Sequence, residues 1–136
     1  MKSKIKYLLI LLMTSLGAFG QKINCNKINA IVIKRVPFEI MTAVDVPCDD
    51  FEKAFSDKLE IIILRDSLAI NKCIYLLSNL ELRDSTIYPN IDTRAKIEIY
   101  SPKDTLTICL NQFLTIKEGV KYKTSKDLIN FVVSVK

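Results

Sequence analysis

The most regular pattern in the sequence is a pair of alternating stretches between Ile91 and Ile116. In the first stretch, apolar or small residues alternate with charged ones, Ile91, Thr93, Ala95, Ile97 and Ile99 against Asp92, Arg94, Lys96 and Glu98. Side chains of a strand alternate between its two faces, so this pattern predicts a half-buried antiparallel strand. Pro102 and Asp104 supply a turn, after which Leu106, Ile108 and Leu110 predict a second strand. The apolar face of this hairpin requires a cover from the rest of the chain.

Further strands are predicted before the hairpin. Lys27–Arg35 is rich in β-branched residues and predicts a strand, Val36-Pro37 predicts a bend, and Phe38–Val46 predicts a second extended segment. Leu59–Leu64 is a continuous apolar run, which predicts a central strand buried on both faces.

Two amphipathic helices are predicted to cover the sheet. The first is capped by Asp66 or Ser67 and runs to about Leu80. Thr124 or Ser125 caps a final segment whose β-branched content also permits a strand, and we expect a helix there. Together with a short helix at residues 49–57, the predicted order is β-β-α-β-α-β-β-α. This order predicts an α+β domain, a two-layer sandwich of one mostly antiparallel sheet with two or three helices packed on one face.

An acidic cluster of Asp49, Asp50 and Glu52 opens the predicted short helix, and Asp45 precedes it as a further candidate for an acid/base pair. Negative charge is favourable at a helix N-terminus. A calcium loop would need alternating oxygen ligands and a glycine, which this segment lacks. A glycosidase pair would need a defined carboxylate separation, which a sequence does not give. We therefore interpret the cluster as helix capping and predict no metal site.

Residues 1–20 have the plan of a secretory signal peptide, with Lys2, Lys4 and Lys6 before an apolar core and small residues ahead of Gln21. An uncleaved membrane anchor is the alternative, but the apolar run is shorter than the roughly 20 residues that span a bilayer. Cys25 does not follow the cleavage point directly, which argues against a lipoprotein. We expect an exported protein, periplasmic or extracellular, with a single domain at residues 21–136 and no stable membrane anchor.

Four cysteines follow the predicted signal peptide, Cys25, Cys48, Cys73 and Cys109. An even number in an oxidising compartment predicts two disulfides, for which three connectivities exist. A chain folded back at the Val36-Pro37 bend brings Cys25 opposite Cys48, which favours this pair. Cys73 and Cys109 then pair by elimination, although Cys109 has the opposite parity to the apolar residues of its strand.

Several absences make an enzyme an unfavoured interpretation. The chain has no histidine and no tryptophan, and Gly119 is the single glycine after the signal peptide. Histidine is the commonest general acid or base, and phosphate-binding loops need several glycines. A Ser/Lys dyad using Ser67 or Ser125 remains a formal alternative, but both serines are interpreted as helix caps. No basic run interleaved with aromatics suggests nucleic-acid binding. We expect no cofactor and no nucleic-acid partner.

The charged face of the first strand of the predicted hairpin is the best candidate binding surface. It presents Asp92, Arg94, Lys96, Glu98 and Tyr100. One interpretation is a recognition surface for a carboxylate, phosphate or glycan, with Arg94 as a bidentate donor. The preferred interpretation is a solvated face whose opposite charges pair with one another.

The expected function is binding. We predict a small exported protein-interaction, inhibitor or accessory module that uses the exposed face or an edge strand of its sheet. Its partner would be another protein or an envelope component. The alternative is a small hydrolase or ligand-binding domain that uses the charged strand face, and a purely structural role in the envelope is a third interpretation.

Overall fold

The computed structural model describes residues 27–84 and 90–136. The predicted signal peptide and Cys25 lie outside the described residues. The strands are β1 (Ala30–Arg35), β2 (Glu60–Leu64), β3 (Ala95–Tyr100), β4 (Thr105–Leu110), β5 (Leu114–Lys117) and β6 (Val120–Lys123). The helices are α1 (Phe51–Ala54), α2 (Ser67–Ser78) and α3 (Lys126–Ser134).

The six strands form one antiparallel sheet in the order β2-β1-β3-β4-β5-β6. The predicted α+β fold class is confirmed. The predicted hairpin is its centre, with Ile97 of β3 opposite Ile108 of β4. The element order differs from the prediction in two places, because Phe38–Val46 forms no strand and β5 and β6 form an additional hairpin.

Helices α2 and α3 cover one face of the sheet and bury its odd-numbered positions in β1 and β3. Leu77 of α2 and Leu128 of α3 pack there with Ile33 and Ile97. Both helices begin at predicted caps. Asp66 accepts a hydrogen bond from the Ala69 N–H at 2.9 Å, and Ser125 accepts one from the Leu128 N–H at 3.1 Å.

The opposite face is partly covered by the segment between β1 and β2. Val36, Val46, Phe51 and Phe55 form a separate buried cluster there. The short helix α1 belongs to this layer, since its Glu52 reaches Lys34 of β1 and Lys96 of β3. The side-chain cap predicted for this helix is absent at Asp50, the residue before α1. The segment 37–58 is therefore a third, partial layer that the sequence pattern did not indicate.

The prediction that Leu59–Leu64 forms a central strand is wrong in its position. β2 lies at the edge of the sheet and pairs with β1. Ile62 and Leu64 are buried against the helices, but Ile61 is 56% exposed and Ile63 is 51% exposed. A continuous apolar run is expected for a strand buried on both faces, and here one of those faces is open.

The other edge strand, β6, is covered by the chain itself. The Arg83 N–H donates to the Lys121 carbonyl at 3.0 Å, and the Lys123 N–H donates to the Glu81 carbonyl at 2.8 Å. The β5–β6 hairpin turns through Glu118 and Gly119, whose φ values are 50° and 74°. Positive φ at both central residues is the geometry that two-residue hairpin turns favour.

The predicted disulfide pairs are wrong, because Cys48 is bonded to Cys109 with a Cα–Cα distance of 5.8 Å. Cys109 lies on the sheet face that the 37–58 segment covers, within reach of Cys48. Cys73 lies on α2, which covers the other face, and its thiol is free and buried. The sheet separates Cys73 from Cys109, which explains the parity conflict in the predicted pair.

Within residues 27–84 and 90–136, no helix has the length and apolar content needed to cross a bilayer.

Candidate functional site

The five predicted binding residues lie on the sheet face below the 37–58 segment and divide into two groups. Asp92 and Arg94 precede β3, whereas Lys96, Glu98 and Tyr100 lie within it. The preferred prediction of a solvated face is wrong, since Arg94 is 5% exposed and Glu98 is 8% exposed. Their burial follows from the additional layer, which turns an outer sheet face into an inner one.

All five N–H donors of Arg94 are engaged within the protein. Its Nη1 and Nη2 atoms bind the two carboxylate oxygens of Asp92 at 2.6 and 2.5 Å. The remaining donors reach the Thr93 carbonyl at 3.0 Å, the Thr42 hydroxyl at 3.1 Å and the Ile40 carbonyl at 3.2 Å. No N–H of this guanidinium is left for a ligand.

The Asp92–Arg94 pair fastens the 37–46 segment to the sheet. Asp92 accepts a hydrogen bond from the Val46 N–H at 3.0 Å, and Arg94 binds Ile40 and Thr42. The guanidinium carbon also lies 5.4 Å from the ring centroid of Phe55, which is a favourable cation–π distance. The role that these contacts support is structural.

The second group belongs to an ion-pair network between β1, β3 and α1. Glu52 of α1 lies 2.9 Å from the ammonium groups of both Lys34 and Lys96. Glu98 lies 3.1 Å from Lys34 and 3.7 Å from Lys96, and it accepts a hydrogen bond from the Tyr100 hydroxyl at 2.8 Å. Two cations and two anions neutralise one another, so this face presents little net charge to a ligand.

The pKa shifts in the network follow from these hydrogen bonds. Lys34 and Lys96 donate to Glu52 and hold the pKa of that carboxyl below its ordinary value. Burial would lower the pKa of Lys34, but its hydrogen bonds to Glu52 and Glu98 outweigh burial and raise the pKa. The hydrogen bond to Glu98 raises the pKa of the Tyr100 hydroxyl. Each shift favours the protonation state that keeps the network closed.

A cavity of about 480 Å³ lies beside the Asp92–Arg94 pair, between the 38–45 segment and the residues that follow β4. Its polar floor is bonded internally, because Asn111 donates to the Asp92 carbonyl at 3.1 Å and accepts from the Phe113 N–H at 2.8 Å. Two of its lining residues are exposed apolar side chains, Met41 at 94% and Phe113 at 56%. The polar groups of Asp92, Arg94 and Asn111 in this cavity are therefore engaged in contacts within the protein.

The outer edge of β2 has no strand partner among the described residues. Within the described part of the chain, β2 forms its ladder with β1 alone. Edge strands are usually protected by proline, inward-pointing charge, a bulge or a covering segment. β2 carries none of these between Ile61 and Leu64, and its exposed isoleucines lie on the face away from α2 and α3.

Sequence reasoning missed this surface because nothing in the Leu59–Leu64 run marks one face as exposed. The single polar residue in the run is Glu60, and it points to the same face as Ile62 and Leu64, where it binds Arg35 at 2.8 Å. The sequence predicts binding at the exposed face or at an edge strand of the sheet but does not identify which strand forms the edge.

Comparison of the chain with protein-family models, with curated proteins and with solved structures gives no significant match.

Proposed function

We propose that the protein is a small protein-interaction module and that its partner adds an extended strand to the free edge of β2. The observation that carries this proposal is the contrast between the two edges of the sheet. Residues 81–83 cover β6, whereas β2 exposes Ile61 and Ile63 beside a backbone edge that no other described residue pairs. In strand addition, main-chain hydrogen bonds provide affinity and alternate side chains provide specificity.

The alternative of a small hydrolase or ligand-binding domain on the charged strand face has weaker support. Each of the five residues on that face has a partner inside the protein. A recognition arginine needs free donors for a carboxylate or phosphate, and those of Arg94 are occupied. An inhibitor or accessory role, in which the protein acts by occupying another polypeptide, fits the edge better.

Export is part of this proposal. The three-part pattern of residues 1–20 supports it, and so does the Cys48–Cys109 disulfide, since disulfides persist in oxidising compartments. The test is the intact mass of the protein recovered outside the cytoplasm of its host. A mass that begins at Gln21 supports export, whereas a mass that retains Met1 with reduced Cys48 and Cys109 contradicts it.

Site-specific photo-crosslinking in the exporting host tests the docking edge. A benzoylphenylalanine at position 63 should form an adduct with a polypeptide, and Ile61→Lys in the same chain should abolish that adduct. The matched control is the same group at Val120, which is 42% exposed on the covered edge strand and should form none. Equal adducts from positions 63 and 120, or none from position 63, would overturn the proposal.

A further inference from the structure

We propose that the strand accepted by β2 is β2 of a second copy of this chain, so that one antiparallel sheet runs through a twofold-symmetric dimer. This inference rests on the proposed function and names the partner at the same edge. A twofold interface must be self-complementary, because the same residues meet in both directions. The sequence and exposure of β2 meet this condition in one register.

The register follows from the faces of the strand. With the twofold axis perpendicular to the sheet, exposed residues of one copy stay on the same face as those of the other. The register centred on Ile62 places Ile61 opposite Ile63 of the second copy and pairs every residue of Glu60–Leu64. Registers shifted by two residues in either direction pair fewer residues of β2. The half-exposed Ile61 and Ile63 of both copies would then form one apolar cluster across the dimer interface.

Charge complementarity favours the register centred on Ile62 over the register centred on Ile63. The register centred on Ile62 brings Lys58 of one copy next to Asp66 of the other at both ends of the paired strands, and both residues are exposed in the single chain. The register centred on Ile63 would instead place Glu60 opposite Asp66, two like charges. Opposite charges across strands are stabilising and like charges are destabilising.

The remaining charge on β2 does not oppose the dimer. Glu60 is held by Arg35 of its own chain at 2.8 Å, and Arg35 also donates to the Val132 carbonyl of α3. A groove of about 780 Å³ leaves space beside the edge. It is lined by β2 and by residues at and after the end of α3, which are Val133, Ser134 and Lys136. Since the paired strands are short, we expect a reversible dimer of the transient class.

Sedimentation velocity from micromolar to millimolar concentration tests this inference. The natural chain should shift from monomer to dimer with concentration. Ile61→Lys and Ile63→Lys should each weaken dimerisation by about tenfold or more, because each replaces an isoleucine of the cross-strand apolar cluster with a charged side chain that has no partner across the interface. Val120→Lys, on the covered edge, should dimerise as the natural chain does. Circular dichroism and the melting temperature would establish that all three variants are folded.

Disulfide trapping tests the register. An equimolar mixture of Ile61→Cys and Ile63→Cys chains, each also carrying Cys25→Ser, should form a mixed disulfide dimer under mild oxidation. Either variant alone should form much less, because the register centred on Ile62 places position 61 beside position 63 and not beside itself. Equal trapping in all three samples would overturn this register.

The outcomes separate the inference from the proposed function. A chain that stays monomeric at millimolar concentration overturns self-pairing, and crosslinks from position 63 to a polypeptide of another mass would then leave the docking edge standing. A monomer without any adduct from position 63 would remove both. A dimer that persists unchanged in Ile61→Lys and Ile63→Lys would place the interface elsewhere and overturn the inference.

Discussion

Lys34 and Lys96 lie directly opposite each other on adjacent strands, and Glu52 contacts both ammonium groups at 2.9 Å. Two like charges at opposed positions destabilise a strand pair. Here the carboxylate of α1 lies between them, so the repulsion within the sheet is offset by a residue from the covering layer. The ion pairs thus connect α1 to the sheet.

The first prediction is that Glu52→Gln destabilises the fold. The substitution leaves Lys34 and Lys96 opposite each other with Glu98 as the one carboxylate among the described residues that still contacts both. Because the Glu52 side chain is 41% exposed, we expect a decrease of about 1 kcal/mol in the free energy of unfolding. Urea unfolding measures it. Glu81→Gln, which removes the exposed pair with Lys123, is the matched control and should change it by less than about 0.5 kcal/mol.

The second prediction concerns acidic pH. The pKa of Glu52 is lowered in the folded state from an ordinary value of 4.5. A carboxyl with a lowered pKa stabilises the fold above its unfolded pKa, and that contribution is lost as the pH falls through the folded pKa. The melting temperature should therefore fall less steeply below pH 4.5 in Glu52→Gln than in the natural chain. If the melting temperatures of the two chains fall equally steeply below pH 4.5, the Glu52 carboxylate is not held by the two lysines.

The third prediction is that Arg94→Ala is strongly destabilising. Arg94 is buried and its partner Asp92 is 29% exposed, so removing the arginine leaves a partly buried carboxylate without its cation and two backbone carbonyls without a donor. Losing one member of a buried pair costs about 3 kcal/mol or more, and we expect a loss of about 3 kcal/mol here. Arg94→Lys keeps the charge but loses the planar guanidinium and its paired N–H donors. Its stability should therefore lie between that of Arg94→Ala and that of the natural chain. Denaturant midpoints would order the three chains. A loss within about 0.5 kcal/mol for Arg94→Ala would mean that Arg94 is exposed.

The fourth prediction concerns the Cys48–Cys109 bond. It closes a loop with a sequence separation of 61, for which chain entropy gives about 4 kcal/mol of stabilisation. Reduction of this bond should therefore lower the denaturant midpoint of unfolding.

Cys73 provides the internal control, because burial raises the pKa of its thiol to about 12. That thiol should resist alkylation in the folded protein, and labelling of Cys73 at the rate of an unfolded thiol would contradict its place in the core.

Local patterns were sufficient to predict the central hairpin of the sheet and the two helices that cover one of its faces. The β3–β4 hairpin followed from strict alternation, and helices α2 and α3 begin at the caps Asp66 and Ser125. These features depend on neighbours in sequence, and their physical signals lie within a few residues.

The contacts made by the 37–58 segment were not predictable in the same way. This segment has little regular structure, so no periodicity indicated that it would cover Arg94 and Glu98 or bring Cys48 to Cys109. The edge position of β2 was missed for a related reason. An apolar run reports burial in general, and strand order decides whether a second neighbour is present.

The most direct test of an open β2 edge is residue-resolved amide hydrogen exchange of the natural chain in dilute and concentrated solution. An open β2 edge predicts that, in dilute protein, some amides of Glu60–Leu64 exchange rapidly while those that pair with β1 are protected. Self-pairing predicts that these rapid amides become protected on concentration, whereas the amides of β6 do not change. Full protection of Glu60–Leu64 in dilute monomer would show that the edge is already covered and would contradict the proposed docking strand. Rapid exchange that persists at every concentration would contradict the dimer.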